Sequence, residues 1–338
     1  MDVCSIAQVS WLMPDRLGKA GLVATLCTAA IVLGAPRAAA AMPPPQKQEV
    51  RVFRDITYYE VRDDPDAARH RLDVYRPEGK GPYPVLLLLH GGGWVAGGKD
   101  DVFGMYGYGT IARCLAERGL VVVLPNYRLS PGVRHPEHVK DVGRAFAWAY
   151  GHCKEYRGDP RQLFVSGHSA GGHLAALLAA DQTYLKEVGR SAKDIRGVIG
   201  ISGVYRVDDI DLKLSLSSPR KGVQLKLDVR PSALIFGDDP KVLRQASPLT
   251  HVRPGLPPFL ILSAGLDYPP MRKMAKEFAA ALEKNGCDVR AIELPWRTHE
   301  TVLFDIRRLS AERATLEAIT EFIDRQKSKP VPAKKGEK

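Results

Sequence analysis

The chain has 338 residues, of which 45% are hydrophobic and 26% charged, globular proportions that exclude a disordered chain and a multi-span membrane protein. A chain this long buries most of its surface without metal or disulfide support, and single α/β domains reach this size. Part of the net charge of +11 sits in residues 327–338, where five lysines face one glutamate; this reads as a solvated, disordered basic tail, not a Lys/Arg face for nucleic acid.

Residues 20–35, A-G-L-V-A-T-L-C-T-A-A-I-V-L-G-A, form an uncharged apolar run behind Arg16 and Lys19. The run ends in P-R-A-A-A-A-M, whose small residues suit cleavage after Ala40 or Ala41. A spanning helix needs about 20 apolar residues. The shorter run predicts a cleaved signal over 1–41, hence a secreted or periplasmic protein with no stable membrane anchor. The stretch before Arg16 is long and carries Asp2 and Asp15, so a start at Met13 would give a more ordinary leader. Removing the leader leaves Cys114, Cys153 and Cys287, enough for one disulfide or for three buried thiols.

A polar linker at 42–49 leads into the body at 50–326. V-R-V-F-R-D-I-T-Y-Y and R-L-D-V-Y-R-P alternate with period two, which predicts paired antiparallel edge strands. Continuous apolar runs follow at 84–89, 120–124, 163–166, 198–202, 259–263 and 289–294, the pattern of strands covered on both faces. Helical patterns occupy 101–118, 137–156, 171–180, 271–285 and 311–325. This alternation predicts an α/β fold, a mostly parallel sheet with helices on both faces. Residues 205–252 break the rhythm and are expected to be an inserted lid or pocket wall.

Gly167-His168-Ser169-Ala170-Gly171 follows the run L-F-V-S and precedes the strong helix former G-H-L-A-A-L-L-A-A. This is G-x-S-x-G in its required context of strand, sharp turn and helix, and it makes Ser169 the expected nucleophile. A serine there presents its hydroxyl at a helix N-terminus, where N–H groups favour developing negative charge. His90-Gly91-Gly92-Gly93-Trp94 directly follows P-V-L-L-L-L. Consecutive glycines let backbone N–H groups approach a bound carbonyl, as an oxyanion hole requires.

The nucleophile needs a base and a group to orient it. This architecture orders its triad Ser, acid, His. Beyond the helix after Ser169 only His251 and His299 remain. P-F-L-I-L-S-A-G-L-D places Asp267 on the turn after a late strand, and only His299 follows it. Asp238 and Asp239 are the alternative acids, though no clear strand leads into them. His168 and His173 flank the serine and read as residues of helix packing and local hydrogen bonds. His135-x-x-His138 with Asp141 reads as a helix start and not a metal site, for want of a fourth ligand. With no Walker loop, Rossmann fingerprint or Cys-x-x-Cys, neither cofactor nor metal is expected.

With those residues in place, the chain resembles the α/β-hydrolase superfamily, in particular its H-G-G-G esterase/lipase group, over about 50–324. L-D-V-Y-R-P, H-G-G-G-W-V-A-G-G-K, N-Y-R-L-S-P, G-D-P-R-Q-L-F-V-S-G-H-S-A-G-G-H-L-A-A-L and A-S-P-L-T all carry the likeness. The resemblance implies Ser169, Asp267 and His299 as triad, with oxyanion donors from Gly91, Gly92 and Ala170. The nearest subgroup looks like the feruloyl-esterase-like, prenylcysteine-methylesterase-like and arylformamidase-like carboxylesterases. The chain departs from it in reading D-Y-P-P where relatives often have D-x-x-V-P, and in the long basic stretch after S-G-V-Y. The expected activity is hydrolysis of a small-molecule carboxylic ester through an acyl-enzyme, with arylformamidase or amidase action by the same triad as the alternative. A non-catalytic member of the fold would typically have lost the serine or the base. Trp94, Tyr268, Leu303 and Phe304 adjoin these positions and are candidates to wall an apolar pocket.

Overall fold

The computed structural model describes residues 47–63, 65–99, 107–210, 212–218, 223–229, 231–307 and 313–330. The expected leader at 1–41 lies outside them. In chain order the elements are β1 (Val50–Thr57), β2 (Arg71–Pro77), β3 (Tyr83–Leu89), α1 (Tyr108–Ala116), β4 (Val121–Pro125), α2 (Glu137–His152), β5 (Gly158–His168), α3 (Ala170–Ala180), α4 (Gln182–Glu187) and β6 (Gly197–Ile201). There follow β7 (Leu212–Ser218), β8 (Val223–Val229), α5 (Pro231–Ile235), α6 (Pro240–Ala246), β9 (Phe259–Ala264), α7 (Pro269–Lys284), β10 (Val289–Leu294), α8 (Thr301–Phe304) and α9 (Ala314–Lys327).

Eight strands form one sheet in the order β1-β2-β4-β3-β5-β6-β9-β10. β1 pairs antiparallel with β2, and β2 antiparallel with β4; every other pairing is parallel. The apolar runs are continuous because each central strand is covered on both faces. Along β3, Val85, Leu87 and Leu89 enter the core that also holds residues of α2, α3 and α7. Leu86 and Leu88 enter the opposite core, with residues of α1 and α9. The same two-way division sends Val121 and Val123 to the first core and Val122 and Leu124 to the second. All of α3 is buried, as its uniformly apolar sequence requires. This is the α/β-hydrolase fold.

Three features differ from the sequence reading. Residues 205–252 contain regular structure: β7 and β8 form a separate two-stranded antiparallel sheet, and α5 and α6 follow. The basic tail begins later than 327, because Lys327 closes α9 and Lys329 donates to Asp288 at 2.6 Å. Cys114, Cys153 and Cys287 are free thiols, as one of the two expected alternatives has it, but only Cys153 is fully buried. Among the described residues, no helix is long and apolar enough to cross a membrane.

Histidines contribute strongly to the interior. His90, His138, His168 and His173 are buried and His135 partly so. Burial pushes His90, His135 and His138 down to about 4, and His168 and His173 down to about 3. In the unfolded chain a histidine titrates near 6.5. Below that pH the unfolded state takes up protons that the folded state refuses, so stability is full above about 6.5 and falls as pH drops toward 4. Each such ring contributes up to about 1.4 kcal/mol per pH unit in that window. The melting temperature is therefore expected to be flat above about pH 7 and to fall steeply between roughly 6.5 and 5. A flat profile down to about pH 4.5 would show that these rings protonate freely in the folded state.

Candidate active site

Parallel α/β sheets bind ligands beyond the C-terminal ends of their strands. Here the loops after β3, β5, β9 and β10 meet there, carrying respectively the H-G-G-G segment, Ser169, Asp267 and His299.

Ser169 occupies the single residue between β5 and α3, at φ 55° and ψ −119°. Such a backbone is strained for a side-chain-bearing residue and persists only when the surroundings enforce it. They do so by close packing. A Cβ on Gly171 would come within 2.3 Å of the Leu89 carbonyl oxygen, and one on Gly167 within 2.3 Å of Gly171. The glycines let β5 turn into α3 directly against the end of β3. Ala170 begins α3, so its N–H is among the donors that a helix start leaves without an intrahelical partner.

Asp267 is 6% exposed and accepts a hydrogen bond from the Tyr268 N–H at 2.8 Å. Its Oδ1 lies 3.0 Å from His299 Nδ1. Burial raises the Asp267 carboxyl, but the bond and charge of His299, together with the nearby Ser202 hydroxyl and the Tyr268 N–H, hold it below the usual aspartate value. An ionised carboxylate at that position fixes the proton of His299 on Nδ1 and leaves Nε2 as the free base. The alternative acids lie elsewhere. Asp239 caps α6 by accepting from the Lys241 N–H at 2.8 Å, and both Asp238 and Asp239 are exposed.

The loop holding His299 is tied down on several sides. Arg297 pairs with the fully buried Asp305 at 3.0 Å, and its carbonyl accepts from the Leu266 N–H at 2.9 Å. Asp305 in turn accepts from the Thr315 N–H, which anchors the loop to α9. No sequence motif marks Arg297 or Asp305. Their pairing depends on a fold-brought contact eight residues apart.

One cavity of about 310 Å³ is lined by Gly91, Gly92, Gly93, Ser169, His299, Tyr268, Leu303 and Phe304, among others. The expected nucleophile, base and glycine loop therefore share a single pocket. Tyr268 is 59% exposed at its mouth, with its ring 5.5 Å from that of His299. Two expectations need correction. Trp94 does not line the pocket: it is 4% exposed, packs edge-on against His173 and Phe236, and donates through Nε1 to His173 at 3.2 Å. Gly91 lines the pocket, but its N–H donates to the Tyr108 hydroxyl at 2.7 Å. Gly92 and Gly93 also line the pocket, and no such bond engages their N–H groups among the described residues. Among the described residues, none of those lining the cavity comes from 205–252. That segment meets the site's far side, where Phe236 packs on Trp94 and the Ala246 carbonyl accepts from His173.

The BD-FAE family model matches residues 72–282, the span from β2 to α7 that carries the glycine loop, the elbow and Asp267. The chain belongs to the BD-FAE family. This BD-FAE chain is 30% identical over 302 residues to Esterase LipQ of Mycobacterium tuberculosis, covering 87% of its own length and 67% of that protein. It is 30% identical over 250 residues to the probable isoprenylcysteine alpha-carbonyl methylesterase ICMEL1 of Arabidopsis thaliana, covering 69% of its own length and 49% of the relative. The chain thus spans about half to two thirds of these curated relatives. Among solved structures it is similar to the Pyrobaculum calidifontis esterase, at TM-score 0.59 and 27% identity, covering 76% of this chain and 80% of that one.

Proposed function

We propose that this BD-FAE member is an exported serine carboxylesterase acting through an acyl-enzyme. The observation that carries the proposal is the 3.0 Å bond between Asp267 and His299 at a pocket that also holds Ser169 on a strained elbow. The esterase names of the relatives support the same reading.

Ser169 Oγ attacks the ester carbonyl while His299 Nε2 takes its proton, and Asp267 keeps that imidazole in the productive tautomer and stabilises the imidazolium. The carbonyl oxygen becomes an oxyanion, held by the N–H groups of Gly92, Gly93 and Ala170. His299 then gives its proton to the leaving alcohol. Water enters, loses a proton to His299, and repeats the attack on the acyl-serine, which releases the acid. Apart from substrate and water, these steps use only the side chains and backbone amides named.

The cavity is near the lower end of the roughly 300–1,000 Å³ typical of small-molecule sites. Short acyl groups are therefore the expected substrates. On p-nitrophenyl esters, kcat/KM should be highest for acetate to butyrate and fall toward palmitate, and an aryl formamide should turn over more slowly than the matching acetate. A preference for palmitate would sink the short-acyl reading, and a preference for the formamide would move the enzyme to amide chemistry. Export has its own check. N-terminal sequencing of the mature protein should begin at Ala41 or Met42, and recovery of the intact leader on a membrane fraction would make it an anchor.

A further inference from the structure

We infer that His168, the residue before the nucleophile, is a positioning residue that joins the loop of the base to the loop of the oxyanion donors through Tyr108. The inference rests on the serine-hydrolase reading above and adds two residues to it.

Three hydrogen bonds make the connection. His168 Nε2 lies 2.7 Å from the carbonyl oxygen of His299. Its Nδ1 lies 3.3 Å from the Tyr108 hydroxyl, and that hydroxyl accepts from the Gly91 N–H at 2.7 Å. The proton order is forced. A carbonyl only accepts, so His168 must carry its proton on Nε2, which leaves Nδ1 as an acceptor. Tyr108 must then donate to Nδ1, and its oxygen lone pairs remain for Gly91. Each donor and acceptor in this series of three bonds, from the Gly91 N–H to the His299 carbonyl, is thereby satisfied in one arrangement. His168 is 5% exposed and Tyr108 2%. Burial keeps the His168 ring neutral down to about pH 3, so the arrangement holds wherever a histidine base works.

The consequence is mechanical. Gly92 and Gly93 lie directly after Gly91, and the His299 ring lies 4.7 Å from the His168 ring. The elbow that presents Ser169 therefore also fixes, through its preceding residue, both groups that must meet the serine's substrate. Misplacement of such groups by about 1 Å can cost roughly a hundredfold in rate.

The test uses the full mature enzyme on p-nitrophenyl acetate. Both His168 and Tyr108 line the cavity, so the effect is read on kcat at saturating substrate, which His168→Leu should lower about 10- to 100-fold through lost geometry. His168→Gln can donate to the His299 carbonyl and accept from Tyr108, and should recover most of kcat. Tyr108→Phe should also lower kcat, and the double variant Tyr108→Phe/His168→Leu should be no slower than His168→Leu alone, since both break one chain. The inference is overturned if folded His168→Leu keeps kcat within about twofold of wild type, if His168→Gln is as slow as His168→Leu, or if the two single losses multiply. Should His168→Leu fail to fold, full activity of Tyr108→Phe overturns it, and a slow Tyr108→Phe beside a fast His168→Gln upholds it. Labelling with a fluorophosphonate separates the two readings. A wild type that is not labelled at Ser169 fails as a serine hydrolase, whereas a labelled wild type with fully active His168→Leu fails only here.

Discussion

Ser169→Ala and His299→Ala are each expected to lower kcat on p-nitrophenyl acetate by roughly four to six orders of magnitude, with the fold intact. The combined variant should be hardly slower than either alone, because a nucleophile without its base and a base without its nucleophile leave the same residue of catalysis. Asp267→Asn should cost roughly 10⁴-fold, since an amide can hold His299 with its proton on Nε2, where the base must be free. Asp239→Asn is the informative control. Its carboxylate caps α6, and asparagine caps nearly as well, so both activity and stability should stay near wild type. Near-normal turnover by Asp267→Asn beside a dead Asp239→Asn would reassign the acid.

The division of labour between sequence and fold explains which parts of the site were readable. Ser169 is legible because the elbow is a local structure: strand, two crowding glycines and helix follow one another without interruption over 158–180. The base and acid are legible through chain order, since a parallel sheet delivers its loops to one end in a fixed sequence. Gly91 was read as a free donor for the opposite reason. Its partner Tyr108 stands 17 residues away on α1, and nothing local in H-G-G-G announces that its first amide is engaged. Trp94 failed similarly. Adjacency to the glycine loop suggests the pocket, but Trp94, at φ 60°, buries its indole against His173 of α3 and Phe236, and His173 accepts its N–H.

The segment 205–252 is a different kind of miss. D-L-K-L-S-L-S-S and V-Q-L-K-L-D-V alternate with period two, the pattern of strands with one apolar face, and β7 and β8 pair along their whole length. These two strands form a sheet of their own, so the strand-helix alternation of the main sheet does not reveal them. The helical spans 137–156 and 271–285 were nearly correct because a buried stripe on an amphipathic helix leaves a strong period, as Met274, Ala275, Phe278, Ala279 and Leu282 do on α7.

Gly92→Val is expected to lower kcat by roughly two orders of magnitude, equivalent to about 3 kcal/mol for one displaced oxyanion donor. Two independent constraints at this residue lead to that result. Gly92 has φ +113°, which valine adopts only under strain, and a Cβ there would stand 2.2 Å from the Ala96 carbonyl oxygen. The obstacle is backbone, so the loop itself must move, and with it the amides of Gly92 and Gly93. Strain alone must be separated from lost chemistry. Gly189 provides the comparison: its φ is +68° and no atom lies within 4 Å of a Cβ placed there. Gly189→Val should cost stability by about 1–3 kcal/mol and leave kcat unchanged. Because the oxyanion exists only in the transition state, the loss at Gly92 should appear equally in kcat and kcat/KM. A Gly92→Val enzyme with normal kcat and raised KM would mean that this loop grips the ground-state ester and that the negative charge is held elsewhere.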